Sequence, residues 1–450
     1  MRLSFAGGVC CVIAATLVGS SPLFAGSTEE VAPGLKAGDV LDQSNWQLAK
    51  DLLPPEILRH YERGEYRNKI APAPTERYHW DPDFEATSVE NAKYLDVDER
   101  GGIVDKRTGK QPGFLYGIPF PHVDPNDPKA GTKIVWNNQI NWRNSGNSSY
   151  SSYIAILNPK SLDRETIQDV TFLFYDGQGP RLTPKENPMN LSEQLLSVAS
   201  SPADLNGTAA LAWRYRDSDK RDSLWAYVPA LRRVRAVSPA NRSDGTYGSD
   251  ISQDDGGFFD GKVEDFTWKF VGQREALAFA DPATLPTDMP QPVPYKDGGW
   301  LMVPEPESPT VGYRTPGWTG LAWAPTDPVF IKRKVWVIEA EPHDKYYLYG
   351  KIELWIDQEM WGGVYNRKYS WNGELLQNYA VTLERNHLAG PPGAQEWLWY
   401  GPSAYFCVEA LKFNRASCAG PRLHVGTASV RRLPINPKMF ESTSLTRFGK

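Results

Sequence analysis

Cysteine, histidine and methionine are scarce in this chain of 450 residues, which has 4 Cys, 6 His and 6 Met. Two of the cysteines, Cys10 and Cys11, lie in an apolar run near the start, so Cys407 and Cys418 are the pair left beyond it. With no CxxC and no paired histidines, the sequence argues against a structural zinc site. It also has no HExxH, no GxSxG, no GxGxxG and no GxxxxGK[ST] loop, which removes the usual signatures of metalloproteases, serine hydrolases, dinucleotide enzymes and P-loop NTPases. No internal repeat of fixed period is found. Basic residues are in slight deficit, 49 against 54 acidic for a net charge of −5, so the basic face expected of a nucleic-acid partner is missing. Beyond the first residues, no run is long and apolar enough to span a bilayer.

Aromatics are plentiful: 16 Trp, 21 Tyr and 17 Phe. That number points to broad β-sheet surfaces or an aromatic-lined groove more than to a helical bundle. Residues 1–25 have the plan of a secretory signal, with Arg2, the apolar run FAGGVCCVIAATLVG and Leu23-Phe24-Ala25 before Gly26. A lipoprotein signal does not fit, because Gly-Gly-Val precedes Cys10. An exported protein is the expectation, and in such a protein Cys407 and Cys418 read as one disulfide. They flank VEALKFNRAS, a short excursion between two expected strands.

Taken in order, residues 26–450 read as one β-rich domain whose helical segment spans 43–64. Ser44 is a candidate N-cap for NWQLAKDLL, and PEILRHYER follows as a second helix with Pro55 in its first turn and Gly64 past its end. Residues 66–110 lack clean periodicity and read mostly as loop. GIPFPHVDPNDPKAG reads as a turn-rich connector, in which His122, Asp124 and Asp127 are better explained by turns than by a metal. KIVWN reads as the start of a strand, IQDVTFLFYDG as a strand, and LSEQLLSVASS as a short helix capped by Ser192. From about 281 to 330 the chain reads as a long crossing segment, and beyond it KVWVIEA, KIELWIDQ, VYNRKYSWNGEL, YAVTLER and EWLWYG read as strands. Asn372-Gly373 marks a turn. The expectation is about ten strands against three short helices.

The densest pattern runs from Trp213 to Glu275. Leu211, Trp213 and Tyr215 alternate with Ala212, Arg214 and Arg216, and Phe266, Trp268 and Phe270 share one face of a later strand. Between them lie a strand carrying Arg232, Arg233 and Arg235 and the glycine-rich acidic loop NRSDGTYGSDISQDDGGFFDGK. The carboxylates of that loop, Asp250, Asp254, Asp255 and Asp260, miss the DxDxDG ligand pattern of calcium loops. The expectation is a solvated loop pairing with Arg232, Arg233 or Arg235, structural and not catalytic, with a calcium site as the alternative.

WAYVPALRRVRAVS, SDISQDDGGFFDGK and WKFVGQRE resemble the core of the bacterial "domain of unknown function 1329" family of secreted proteins, itself similar to outer-membrane lipoprotein-sorting proteins of the LolA and LolB type. GDVLDQSNWQLAKDLLPPEIL, GIPFPHVDPNDPKAGTKIVWN and KVWVIEAEPHDKYYLYGKIELWIDQEMW carry the same resemblance in the same order. Residue pattern alone leaves two functions open: an apolar cavity for hydrophobic cargo, or a tryptophan platform for sugars in a carbohydrate-binding protein or glycoside hydrolase. The resemblance favours the first. It implies a strongly curved antiparallel sheet or half-open barrel, a periplasmic non-enzymatic carrier without cofactor, and cargo such as lipid or lipoprotein acyl chains. It also implies work beside an inner-membrane transporter and an outer-membrane protein. The candidate cargo residues are Leu211, Trp213, Tyr215, Phe266, Trp268 and Phe270, joined by Trp336, Ile338, Leu354 and Ile356 on the later aromatic strands.

Overall fold

A computed structural model describes residues 29–74, 79–238, 242–282, 293–294, 298–302, 328–388, 397–421 and 429–448. The leader at 1–25 and most of the crossing segment at 281–330 therefore lie outside the described residues. The protein is mainly β, built on one large curved sheet of 16 strands. Its principal strands are β1 (Ser148–Leu157), β2 (Leu162–Phe174), β3 (Leu191–Ser201), β4 (Ala209–Tyr215), β5 (Ser223–Val228), β6 (Arg233–Val237) and β7 (Phe266–Ala280). They continue with β8 (Val329–Pro342), β9 (Lys351–Asp357), β10 (Gly363–Tyr369), β11 (Leu375–Leu388), β12 (Trp397–Ala410), β13 (Arg415–Pro421) and β14 (Ser429–Arg431).

Across the sheet the order is β6-β5-β4-β3-β2-β1-β13-β12-β11-β7-β8-β9-β10. Nearly every pairing is antiparallel; the contact of β11 with β7 at Phe279↔Thr382 is parallel, and β11 also pairs with β10. Strand β14 adds to the start of β1 through Arg431↔Ser148. The two aromatic strands of the Trp213–Glu275 stretch are thus not neighbours. Five strands that are distant in sequence or earlier in the chain, and β3 besides, separate β4 from β7.

Among the described residues, three α-helices accompany the sheet: α1 (Pro55–Glu62), α2 (Pro82–Tyr94) and α3 (Ala130–Arg143). α1 is the helix expected after Pro54, and Gly64 follows it at φ +71°, a conformation that glycine adopts without strain. Four local expectations are corrected. Ser44 does not cap a helix, because its hydroxyl donates to Asp42 and the chain makes a single 3-10 turn over Trp46–Ala49. Residues 66–110 contain α2, whose N-cap Asp81 accepts from the Asp83 amide; it buries Phe84 and Ser88 and so shows no apolar stripe.

KIVWN belongs to α3, not to a strand. This helix is buried on nearly all sides, and its amides bind loop backbone in place of water: Asn137 bridges the N–H and C=O of Phe120, Asn138 donates to Trp361 O and Gln139 to Gly261 O. A polar sequence thus forms a buried helix because Asn137, Asn138 and Gln139 each have fixed backbone partners. LSEQLLSVASS, in turn, is strand β3, held between β2 and β4 despite its helix-favouring Leu, Glu and Gln. Its inward charge, Glu193, is met by Arg143 at 2.9 Å.

The ends of the sheet are covered differently. On β7 to β10, one face packs on the N-terminal segment, with Leu53, Ile57 and Tyr61 against Leu277, Phe330 and Trp355. The opposite face packs on α3, with Ile134 and Ile140 in one cluster with Trp336, Ile338 and Leu354. On β2 to β5, one face is covered by the C-terminal turns through Phe440 and Leu445.

Candidate ligand cavity

The other face of β2 to β6 is not filled. It bounds a cavity of about 520 Å³, within the range of roughly 300–1,000 Å³ found for ligand sites. Strand alternation decides what lines it. On β4, Ala210 and Ala212 point to the cavity while Leu211 and Tyr215 point to the C-terminal turns. The cross-strand partners agree: Ala210 sits opposite Ala226 and Ser197, and Ala212 opposite Leu224 and Leu195. Three alanines on adjacent strands therefore leave space that larger side chains would occupy. Val170 and Phe172 of β2, Ile154 of β1 and Trp142 at the end of α3 complete an apolar wall. Phe172 is fixed edge-on by Trp142 at 4.8 Å and stacked on Tyr150 at 6.4 Å.

The glycine-rich acidic loop forms another wall through Ile251, Gly256 and Gly257. It is neither solvated nor paired as expected from sequence. Asp250, Asp254 and Asp255 are buried, and each loop carboxylate meets a different cation. Asp250 takes Arg415 through two bonds of 2.7 and 2.8 Å, Asp254 takes Arg242, Asp255 takes Lys368, and Asp260 takes Arg214 at 2.7 Å. Arg232, Arg233 and Arg235 instead lie exposed at and beside edge strand β6. The carboxylates thus diverge toward four cations rather than converge on one centre, and among the described residues no group of three or more His, Cys, Asp or Glu is placed to hold a metal. A close approach adds to the anchoring: the Phe258 ring packs on Gly363, where a Cβ would stand 2.0 Å from it.

Burial sets the electrostatics of this wall. Asp260 loses hydration, which pushes its carboxyl up to about 7 even though Arg214 opposes the shift. Glu264, buried just beyond the loop, is likewise pushed up to about 7, with Lys262 acting against it. Asp124 and Asp127 of the connector set turns, accepting from the amides of Asn126 and Lys129, as expected.

None of the ten residues singled out from the sequence is among those lining this cavity. Leu211 and Tyr215 are buried under the C-terminal turns, where Trp213 donates to Phe440 O at 2.8 Å and packs on Trp225. Phe266 and Trp268 pack on Phe259, and the Trp268 N–H is spent on Val263 O at 2.8 Å. Phe270 packs on Trp336, which stacks on Trp361, and Ile338, Leu354 and Ile356 are fully buried in the α3 cluster. The residues missed were the small ones, Ala210, Ala212 and Ala226. Their signal is present in the sequence as alternation with Leu211, Trp225 and Tyr227, but it acquires meaning only with the strand register. Cys407 and Cys418 are directly opposed on β12 and β13, with their sulfurs at a bonding distance of 2.18 Å.

Comparison with known proteins gives one family match, to the model described as "Protein of unknown function (DUF1329)", over residues 40–398. The chain belongs to the DUF1329 family. The match includes β1 to β7 and the acidic loop, so most of the cavity wall falls within the DUF1329 region, while Phe406, Ala419 and Arg431 line the cavity from beyond it. No curated protein matches the sequence. Among solved structures, a DUF1329 family protein from Desulfovibrio piger is similar at 15% identity, covering 72% of this chain and 100% of its own, with a TM-score of 0.47. A putative outer membrane lipoprotein-sorting protein domain from Vibrio parahaemolyticus is similar at 15% identity, covering 71% and 100%, with a TM-score of 0.46. A LolA superfamily protein from Nitrosomonas europaea is similar at 13% identity, covering 69% and 97%, with a TM-score of 0.37.

Proposed function

We propose that this protein is a periplasmic carrier that holds a hydrophobic cargo, such as a lipid or lipoprotein acyl chain, in the cavity under β2 to β6 and moves it between the inner and outer membranes. The observation that carries the reading is the cavity itself: about 520 Å³, with much of its wall made of Val, Leu, Ile, Phe and Ala side chains. Each buried methylene of a cargo chain gains about 0.8 kcal/mol. Two features support a binding role over catalysis. The buried carboxylates of the loop are tied to cations, and Asp260, the acid on the cavity wall, is held by Arg214. Export rests on the leader pattern at 1–25, and partners at the two membranes rest on the family resemblance.

Mass spectrometry of the protein purified from its native compartment tests the reading. The expected result is an acyl lipid or another hydrophobic compound at near-stoichiometric amount. An oligosaccharide in its place, or binding of oligosaccharide with no response to any lipid probe, would replace the carrier by a sugar-binding protein.

A further inference from the structure

Among the described residues, most charges around the cavity have a charged partner, and one does not. Asp260 is held by Arg214, and Arg143, the residue after Trp142 on α3, is held by Glu193 at 2.9 Å. Arg432 faces Asp81 at 3.3 Å. Arg431, at the end of β14, also lines the cavity and is half-buried. Its guanidinium carbon lies 5.7 Å from the centre of the Tyr150 ring, and its Nη1 is 3.5 Å from the Ser145 hydroxyl oxygen. Among the described residues no carboxylate stands within ion-pair distance of it. Its backbone is fixed on both sides, paired with Ser148 of β1 and with Trp300.

A guanidinium partly withdrawn from water beside neutral groups gives up hydration without gaining an anion. A ligand that brings the anion restores the balance, and the planar fork of arginine matches a carboxylate through two parallel hydrogen bonds. The other polar side chains of the wall, among them Ser152, Gln168, Ser197 and Gln253, are neutral, and the other charged residue lining it, Asp260, is an acid already held by Arg214.

We infer that the cargo is an amphipathic anion of the long-chain fatty-acid class, with its carboxylate at Arg431 and its chain along the alanine-lined floor of β4 and β5. A single guanidinium suits a singly charged carboxylate better than a phosphate, which gathers several donors. This inference rests on the cavity being the cargo site and adds to it the polarity and direction of the ligand.

The test is displacement of 11-dansylaminoundecanoic acid from the full-length exported protein by palmitate and by hexadecanol, which share a chain length and differ in charge. Palmitate is expected to displace the probe at concentrations at least tenfold lower than hexadecanol, and Arg431→Gln is expected to erase that preference by weakening palmitate binding. Arg431→Lys, which keeps the charge and loses the fork, should retain part of it. Equal binding of the two competitors by the wild-type protein, or a preference that survives in Arg431→Gln, overturns the headgroup assignment and leaves the cavity reading standing. The wild-type ratio decides this even where Arg431→Gln does not fold. Failure of the protein to bind the probe, palmitate or hexadecanol removes the carrier reading and this inference with it.

Discussion

The two ends of the sheet dispose of the same kind of alternating pattern in opposite ways. On β8, β9 and the last residues of β7 toward Ala280, both faces carry apolar side chains, and both are covered, one by the N-terminal segment and α1 and the other by the cluster that includes α3. On β3 to β5, large residues occupy the face under the C-terminal turns, while alanines and a serine alternate with leucines on the cavity face. The difference teaches that empty space follows from where side chains are small, not from where aromatics are abundant. Trp268 and Trp336 find partners and become core, and Ala210, Ala212 and Ala226 leave the gap.

The contrast can be broken most severely in the packed half. Trp268→Asp places an unpaired charge in an aromatic cluster and removes a tryptophan whose loss to alanine alone costs about 3–5 kcal/mol, so the variant is expected not to fold. Circular dichroism and export yield check this, and a folded Trp268→Asp protein with weakened probe binding would move Trp268 into the site.

Next in size is the loop that joins the halves. Asp255→Asn leaves Lys368 buried without its anion, and breaking such a pair costs about 3–5 kcal/mol, far more than the 0–1 kcal/mol of an exposed pair. Denaturant unfolding measures it; a loss below about 1 kcal/mol would mean that the loop is solvated, as its sequence suggested.

Closing the Cys407–Cys418 loop contributes on the order of 3 kcal/mol in the chain-entropy model. Thiol labelling of unreduced, denatured protein is expected to find neither cysteine free, and reduction is expected to lower the unfolding midpoint. Two labelled cysteines would reject the bond.

In the open half the expected effect is smaller and lies in binding. Ala212→Trp fills cavity space, so a lipid probe should bind tenfold or more weakly, about 1.4 kcal/mol, while stability holds or rises. Unchanged probe binding by the folded variant would place the cargo elsewhere.

A pH dependence tests the wall beside the loop. Burial holds the Glu264 carboxyl at about 7, above its free value of 4.5, so the fold favours the protonated form. Its contribution to stability is full below about pH 4.5 and is lost as pH rises through 7. Glu264→Gln, which stays neutral, is expected to lose less stability between pH 5 and 8 than the wild type. Equal slopes in parallel denaturant titrations would show that Glu264 ionises freely.

Local pattern made several elements legible. The alternation of IQDVTFLFYDG, KVWVIEA and KIELWIDQ identified β2, β8 and β9, the Asn372-Gly373 turn has its glycine at φ +81°, and Pro55 with Gly64 bounded α1. Elements that depend on partners were misread. α3 is polar because its amides serve loops far away in sequence, and β3 is a strand because β2 and β4 enclose it. The site was half legible: β4 was recognised as important, but its aromatic face was chosen over its alanine face.

By itself, the sequence determined the β-rich class and the alternation that sends neighbouring side chains to opposite faces, because these depend on composition and on a period of two, and it carried the family through the resemblance of its motifs. The tertiary structure alone decided which face meets a cover and which meets a void. Coverage depends on long-range register, Ala210 against Ala226 and Ser197, and on α3 and the C-terminal turns arriving from distant parts of the chain. No local window contains that information, since a strand's two faces are chemically defined by its own residues but energetically defined by what packs against them.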